Sequence, residues 1–195
     1  MKNILILGAT GRIGKLLVPL FDKEKHNITV YVRDAKKVGE SKKVNIIEGN
    51  VLNETALTES MKGQDIVIAV LSGDLFTYAN NIVSALKKNT VKRIIWITGM
   101  GIHHEVPGEV GKLLDDLCRQ MPEYVQAADE IAESGTPYTL IRAAHLTDGN
   151  NEQYYIQHEG EELHANSVDR IAVAHLIYDL IVNEEGINDS LGITN

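Results

Sequence analysis

The chain has 195 residues, 44% of them hydrophobic, which is enough for one buried core but short for two. Its formal net charge of -8 disfavours a nucleic-acid or anionic-membrane partner, because both are bound mainly through clustered lysine and arginine. We therefore expect a single domain over residues 1–195. The lone cysteine, Cys118, cannot form an internal disulfide, and the sequence opens on an apolar strand rather than a signal segment, so we expect a cytoplasmic protein.

The first predicted strand, residues 2–7, runs directly into a glycine-rich turn and a predicted helix at 12–23. The turn has the pattern G-x-x-G-x-x-G, with Gly8, Gly11 and Gly14. A strand, a glycine turn and a helix in this order bind dinucleotide phosphates, because the unpaired N–H groups of the helix face them. We therefore predict a nucleotide site here, with a purely structural turn as the alternative. Pro19 is expected to bend or loosen the helix.

Further apolar runs alternate with amphipathic stretches, which is typical of a parallel sheet covered by helices on both faces. Strands are predicted at 28–33, 44–47, 66–71, 93–98 and 138–142. Helices are predicted just after Asp34, at 54–61, at 78–88, as an amphipathic pair across 112–133, and at 168–182. Asn53 and Ser167 are predicted to cap helices, and Gly63, Gly135 and Gly186 to follow helix ends. The pattern predicts an α/β fold, a three-layer, doubly wound Rossmann fold with a mainly parallel sheet.

Residues 150–165 are polar and interrupted by glycine, with a short candidate strand at 154–156, so we predict a hairpin or flap. Loops that follow the carboxyl ends of the strands line the ligand crevice of an open α/β sheet. Loops 72–78, 99–108 and 143–165 are therefore expected to form the substrate crevice.

Arg33 ends the second predicted strand, where a site for the unphosphorylated dinucleotide usually carries an acidic residue against the ribose. An arginine there can instead bind a 2'-phosphate, and Arg12, Lys36 and Lys37 would add positive charge. Asp34 is better explained as a helix N-cap than as a ribose ligand. We therefore predict NADP(H) in preference to NAD(H).

Other strand ends supply further candidate cofactor contacts. Asn50 and Val51 can meet the adenine edge, although a plain turn role is the alternative for Asn50. The small residues that end the fourth strand allow the backbone to approach a ribose or phosphate. The full predicted set is Gly8, Thr10, Gly11, Arg12, Ile13, Gly14, Arg33, Asn50, Val51, Leu71, Ser72, Gly73 and Thr98.

Four segments together, 8–14, 31–34, 48–52 and 134–142, resemble the atypical short-chain dehydrogenase/reductase superfamily, in its NAD(P)H-binding, NmrA-like branch. The resemblance covers essentially the whole chain. Its size, its Val-Arg-Asp element at 32–34 and His145 also make the chain similar to the biliverdin-IX beta reductase/flavin reductase group. The resemblance implies a Rossmann fold that binds NADP(H) and acts as a reductase.

The sequence departs from ordinary short-chain dehydrogenases, which use a Tyr-x-x-x-Lys pair to exchange a proton with an alcohol or carbonyl. No tyrosine here is followed four places on by lysine, and Tyr138 with Arg142 falls on a predicted strand. A flavin or quinone reductase needs no such pair, since hydride delivery depends mainly on stacking an electron-poor ring on the nicotinamide. We therefore predict hydride transfer to a small aromatic or quinone-like acceptor, with His145 contacting its polar edge or moving a proton and Thr98 assisting.

Two other functions remain open at this point. A non-catalytic redox sensor that binds NADP(H) is compatible with the missing pair, and nucleotide-sugar epimerase or dehydratase chemistry is disfavoured by the same absence. The partner is predicted to be a small-molecule acceptor, and the chain a monomer or homodimer. No metal site is predicted, because the neighbouring residues His103, His104 and Glu105 do not form a defined ligand set, and Cys118 is expected to be a packed thiol.

Overall fold

The computed structural model describes residues 1–23, 25–39 and 44–195. Its main sheet has eight strands in the order β3-β2-β1-β4-β5-β6-β10-β8, all parallel except β8. These strands are β1 (Asn3–Leu7), β2 (Asn27–Val32), β3 (Val44–Glu48), β4 (Ile66–Ala69), β5 (Arg93–Gly99), β6 (Tyr138–Ala143), β8 (Tyr155–Gln157) and β10 (Asp189–Thr194). A separate parallel pair joins β7 (His145–Thr147) to β9 (Ser167–Asp169). The predicted doubly wound Rossmann fold is confirmed.

In the parts of the chain that the structure describes, six α-helices connect the strands and cover both faces of the sheet. They are α1 (Arg12–Leu20), α2 (Glu54–Ser60), α3 (Leu75–Lys87), α4 (Gly108–Gln120), α5 (Pro122–Ala132) and α6 (Arg170–Val182). Alternate strand residues face opposite sides, so Ile4 and Ile6 pack in the core with α1 and α6, while Leu5 and Leu7 pack with α2, α3 and α5. Among the described residues, no helix is both long and apolar enough to cross a membrane.

Several element limits differ from the sequence prediction for local reasons. Helix α1 stops at Leu20 and continues as a 3-10 turn, Phe21–Lys23, because Pro19 removes one backbone donor. Helix α3 begins at Leu75, three residues before the predicted start, since the Asp74 carboxylate accepts a hydrogen bond from the Thr77 N–H.

The predicted caps had mixed outcomes. Asn53 caps α2 and Asp34 caps the short 3-10 helix Ala35–Lys37, as predicted. The prediction for Ser167 is wrong, because this residue lies in β9. Asp169 precedes α6 instead, and its carboxylate accepts hydrogen bonds from Thr147 and from the N–H groups of Gly149 and Asn151.

The C-terminal strand β10 was missed, because its sequence Asp-Ser-Leu-Gly-Ile-Thr is short and half polar. It pairs with β6 on one side and with β8 on the other. The short strand predicted at 154–156 exists with a shift of one residue, as β8. The polar segment 150–165 is thereby joined to the main sheet.

Candidate active site

The turn after β1 is held by contacts that only glycine permits. Gly8 has a φ of +87°, and a Cβ on it would lie 2.3 Å from the Val70 carbonyl oxygen at the end of β4. A Cβ on Gly14 would lie 2.4 Å from the Gly8 carbonyl oxygen, so α1 packs directly on the turn. No side chain caps the first turn of α1 at Gly11. The leading N–H groups of this helix are therefore suited to an anion such as a dinucleotide phosphate.

A cavity of about 600 Å³ opens beside this turn, at the carboxyl ends of β1 to β4. Eight of the predicted cofactor residues line it: Gly8, Thr10, Gly11, Arg33, Asn50, Val51, Leu71 and Ser72. The structure thus brings predicted residues from four different strand ends into one cavity lining. The glycine cradle and the uncapped helix start both fit a nicotinamide dinucleotide.

Positive charge gathers at the β2 end of this cavity. Arg33 is exposed and lines the cavity together with Lys37, and it makes no ion pair with any residue in the described ranges. The Lys37 ammonium lies 3.9 Å from the Asp34 carboxylate, which also caps the short helix. Lys36 is exposed but lies outside the lining. Two cations therefore line the cavity at the end of β2.

The same strand, β2, also supplies a lining residue that the sequence analysis missed. The buried Tyr31 hydroxyl donates to the Asn50 carbonyl oxygen at 3.1 Å, and burial raises the pKa of this phenol. A Cβ on Gly49 would lie 2.3 Å from the Tyr31 hydroxyl oxygen, so glycine is needed there. The Asn50 side chain accepts from the Leu52 N–H at 3.0 Å, which is the turn role considered as the alternative. In the sequence, Tyr31 is one residue of a predicted apolar strand, and nothing there marks it as part of a cavity lining.

The remaining predicted cofactor residues lie outside this cavity lining. The Arg12 guanidinium pairs with Asp148 at 2.8 Å and lines a different groove, with Arg170 on the same carboxylate at 2.7 Å. Ile13 packs against the core, Gly14 is buried under the turn, and Gly73 follows the lining with a φ of +119°. The Thr98 hydroxyl is buried and has no hydrogen-bond partner among the described residues.

A second cavity, of about 420 Å³, opens at the carboxyl ends of β5 and β6. Gly99, Ala143 and Ala144 supply small residues from the strand ends, and α4 and α5 supply large apolar ones. His145 lines it from the start of β7, where its N–H donates to the Asn166 carbonyl oxygen at 3.1 Å. Because β4 and β5 are neighbouring strands, this cavity begins one strand away from the first. The predicted crevice loops 99–108 and 143–165 contribute to it.

A buried ion pair fixes the loop beside this second cavity. Arg142 Nη1 donates to Glu105 Oε1 at 2.6 Å, and both side chains are essentially inaccessible to solvent. Burial acts to raise the pKa of Glu105, but N–H donors from Gly101 and His103 and the Arg142 charge lower it overall. The sequence analysis missed this pair, because 37 positions separate its members.

The three residues weighed as metal ligands have separate partners. His103 Nε2 lies 2.9 Å from the Asp129 carboxylate, and His104 Nδ1 lies 2.8 Å from the Asp115 carboxylate. Glu105 turns inward to Arg142. These side chains tie the 99–108 loop to α4, α5 and β6.

Comparison with known proteins identifies the family. A family model described as NAD(P)H-binding matches residues 8–184, which is most of the chain. A Rossmann-fold NAD(P)-binding family protein from Shigella flexneri is 36% identical, with a TM-score of 0.85 over 100% of this chain and 94% of that chain. The chain belongs to this NAD(P)H-binding family, which confirms the resemblance noted from the sequence.

A short-chain dehydrogenase/reductase from Veillonella parvula, solved in complex with NADP, is 25% identical, with a TM-score of 0.86 over 100% of this chain and 94% of that chain. Among curated proteins, an NAD(P)H azoreductase from Xenophilus azovorans is 27% identical over 88% of this chain and 61% of its own length. An isoflavone reductase homolog A622-like protein from Nicotiana tabacum is 29% identical over 72% of this chain. The chain spans about half the length of the first curated relatives it matches.

Proposed function

We propose that this protein is an NADP(H)-dependent reductase that transfers a hydride to a small aromatic or quinone-like acceptor. The observation that carries the proposal is the position of the two cavities. The polar cavity follows β1 to β4 and the apolar one follows β5 and β6, along a single edge of the sheet. Ligands of open α/β sheets bind outside the carboxyl ends of the strands, where the strand order reverses. Here that reversal lies between β1 and β4.

The preference for NADP(H) over NAD(H) is based on Arg33 and Lys37. Both line the nucleotide cavity at the end of β2, where a 2'-phosphate of the adenosine ribose would lie. A guanidinium can bind phosphate through two parallel hydrogen bonds, and the charge of Arg33 is not neutralised by another described residue. The bound NADP of the Veillonella parvula protein is compatible with this assignment.

Four features of the chain would hold the cofactor. The Gly8–Gly14 turn and the first N–H groups of α1 would hold the phosphates, and Asn50 and Val51 would border the adenine. When bound, the nicotinamide supplies a hydride, that is, two electrons and one proton. The apolar cavity would exclude water and orient the acceptor ring.

His145 would supply or relay the second proton that completes the reduction of a quinone to a hydroquinone. It lines the acceptor cavity and is exposed, so solvent can return the proton. We assign no direct role to Thr98, because its hydroxyl is buried outside both cavity linings. The names of the two curated relatives, an azoreductase and an isoflavone reductase homologue, also favour aromatic acceptors.

A non-catalytic NADP(H) sensor is the second candidate, and one observation favours it. Helix α5 carries Tyr124, yet Ala128 stands four residues later where an ordinary short-chain dehydrogenase has lysine. A protein without this pair can bind the nucleotide without reducing a carbonyl. The absence does not count against a quinone or flavin reductase, which needs no such pair.

The test is an NADPH oxidation assay against simple quinones, riboflavin and FMN, with calorimetry of NADPH and NADH binding in parallel. Turnover above the uncatalysed rate is expected for at least one acceptor, with tighter binding of NADPH than of NADH. Tight, ratio-sensitive nucleotide binding without any turnover would favour the sensor. Failure to bind either nucleotide would contradict both functions.

A further inference from the structure

The apolar cavity is lined by a hydrophobic stripe on α4 and the residue that follows this helix. Val110, Leu113, Leu117 and Met121 are 38%, 61%, 41% and 40% exposed, and all four line the cavity. Their spacing of three or four residues places them on one side of the helix. This side therefore faces the cavity instead of being covered by the sheet.

The lining of this cavity is also nearly free of charged side chains among the described residues. Among the described residues, no lysine, arginine, aspartate or glutamate lines it, and only His145 can become a cation there. The two cations of α4 are already paired along their own helix, Lys112 with Glu109 and Arg119 with Asp116. No positive side chain is thus available in the lining for an anionic ligand.

Carboxylates lie just behind the same wall. Burial raises the pKa of the Cys118 thiol, which lines the cavity, and the carboxylates of Glu105 and Asp115 raise it further. Asp115 is on α4 and pairs with His104, and Glu105 is in the 99–108 loop and pairs with Arg142. An anion placed in the cavity would therefore lose water and find no unpaired cation among the described lining residues.

We propose that this pocket is selective for uncharged aromatic rings and rejects acceptors that carry a sulfonate, carboxylate or phosphate on the ring. The inference rests on the proposed function, and it names the class of acceptor that this site takes. A cavity of about 420 Å³ suits a ring system of two or three fused rings. The small residues Gly99, Ala143 and Ala144 leave room for a flat ring at the strand ends.

The overall reaction at this site is balanced. A neutral quinone accepts a hydride from NADPH and one further proton from His145 or water, which gives the hydroquinone and NADP⁺. No other oxidant or reductant is required. A ring sulfonate withdraws electrons and makes hydride acceptance easier, so discrimination against the sulfonate runs against the chemical trend and reports on the pocket.

The test compares 1,4-naphthoquinone with 1,4-naphthoquinone-2-sulfonate, two acceptors that differ by one anionic group. Turnover with NADPH is measured for each and divided by its uncatalysed rate, and binding of each to the NADP⁺-saturated protein is measured by calorimetry. We expect kcat/KM and affinity to favour the neutral quinone at least tenfold. Equal values, or a preference for the sulfonate, would overturn the inference.

A second experiment places a positive charge on the hydrophobic stripe of α4. Leu113→Lys is expected to reduce the ratio of kcat/KM between the neutral quinone and the sulfonate about tenfold, because it adds a cation at the most exposed position of the stripe. Ile187→Lys is the matched control, since Ile187 is 49% exposed and lies in a separate groove with Met1 and Lys2. The control should retain the discrimination of the unmodified protein.

The outcomes separate this inference from the proposed function. Discrimination in binding without turnover would support the pocket assignment and contradict the reductase. Turnover without discrimination would support the reductase and overturn the inference. If sedimentation instead shows a dimer that Leu113→Lys disrupts while the quinones behave alike, a second copy of the chain covers the stripe and the inference is wrong.

Discussion

The two cavities at the edge of the sheet are built by different parts of the polypeptide. The nucleotide cavity is formed by backbone turns at strand ends, with Gly8 and Gly49 at positions where any Cβ would collide. The second, apolar cavity, which we propose binds the acceptor, is formed by side chains on α4 and by a loop held through the buried Glu105–Arg142 pair. The first site depends on local turns that a sequence motif encodes. The second depends on contacts between segments far apart in the chain.

The two cavities are therefore expected to respond differently to amino-acid substitutions. A backbone-built site tolerates little change in its glycines but leaves the surrounding side chains free. A side-chain-built site can be altered by single substitutions while the fold is preserved, because the exposed residues of α4 support little of the core. Acceptor specificity is therefore expected to be more readily changed than cofactor binding.

The largest effect is expected when the buried ion pair is broken. Glu105→Ala leaves the Arg142 charge buried and uncompensated, so we expect a loss of about 3–5 kcal/mol in the free energy of unfolding. Urea unfolding measures this loss. The affinity for the quinone acceptor should fall far more than the affinity for NADPH. An equal loss of the two affinities would contradict the distinction between the two regions. Glu109→Ala, which removes an exposed pair with Lys112, should cost at most about 1 kcal/mol.

The same pair predicts a pH dependence. The pKa of Glu105 is lower in the folded chain than its ordinary value of 4.5, so the unfolded chain binds the proton more tightly. The carboxylate therefore contributes fully to stability above about pH 4.5, and this contribution is lost as the pH falls through the lowered pKa. The stability difference between the unmodified protein and Glu105→Gln should shrink on acidification. A constant difference would contradict this.

The next largest effect concerns the backbone-built site. Gly8→Ala places a Cβ 2.3 Å from a carbonyl oxygen at a positive φ, so we expect about 2–4 kcal/mol of destabilisation and loss of measurable NADPH binding. Gly63→Ala is a matched control, because Gly63 also has a positive φ but no atom of a described residue lies within 4 Å of its Cβ position. It should cost about 1 kcal/mol. Equal losses in thermal unfolding would refute the collision argument.

A smaller and more selective effect is expected from Arg33→Ala. Loss of one charge-assisted phosphate contact should weaken NADPH binding by about 10- to 100-fold and leave NADH nearly unchanged. Lys36→Ala is the control, because Lys36 is exposed but does not line the cavity. Calorimetry measures the affinities for NADPH and NADH. An equal decrease in the two affinities would show that Arg33 does not recognise the 2'-phosphate.

The smallest effect is expected for His145→Ala. Solvent reaches this exposed position, so water should replace much of its role, and we expect kcat to fall about tenfold with NADPH affinity unchanged. His158→Ala changes an exposed histidine outside both cavity linings and should leave kcat unaltered. Unchanged turnover in His145→Ala would remove this residue from the mechanism.

These differences also explain how far the sequence could be interpreted. The parallel sheet, the glycine turn and most of the nucleotide lining were predicted, since each strand ends in its own recognisable turn. Tyr31 was missed because it lies in a run of buried strand residues, which signals only a core position. Glu105 and Arg142 were missed because no local pattern joins residues 37 positions apart. Strand β10 was missed because Asp189 and Ser190 weaken its apolar pattern.

The place of β8 at the edge of the sheet depends on the last strand of the chain. β8 precedes β10 in the chain, yet it joins the sheet through β10, with Thr194 opposite Tyr155 and Gly192 opposite Gln157. β10 in turn is aligned in parallel beside β6. A substitution that detaches β10 is therefore expected to release the 150–165 segment as well, although the two lie about 30 positions apart in the sequence.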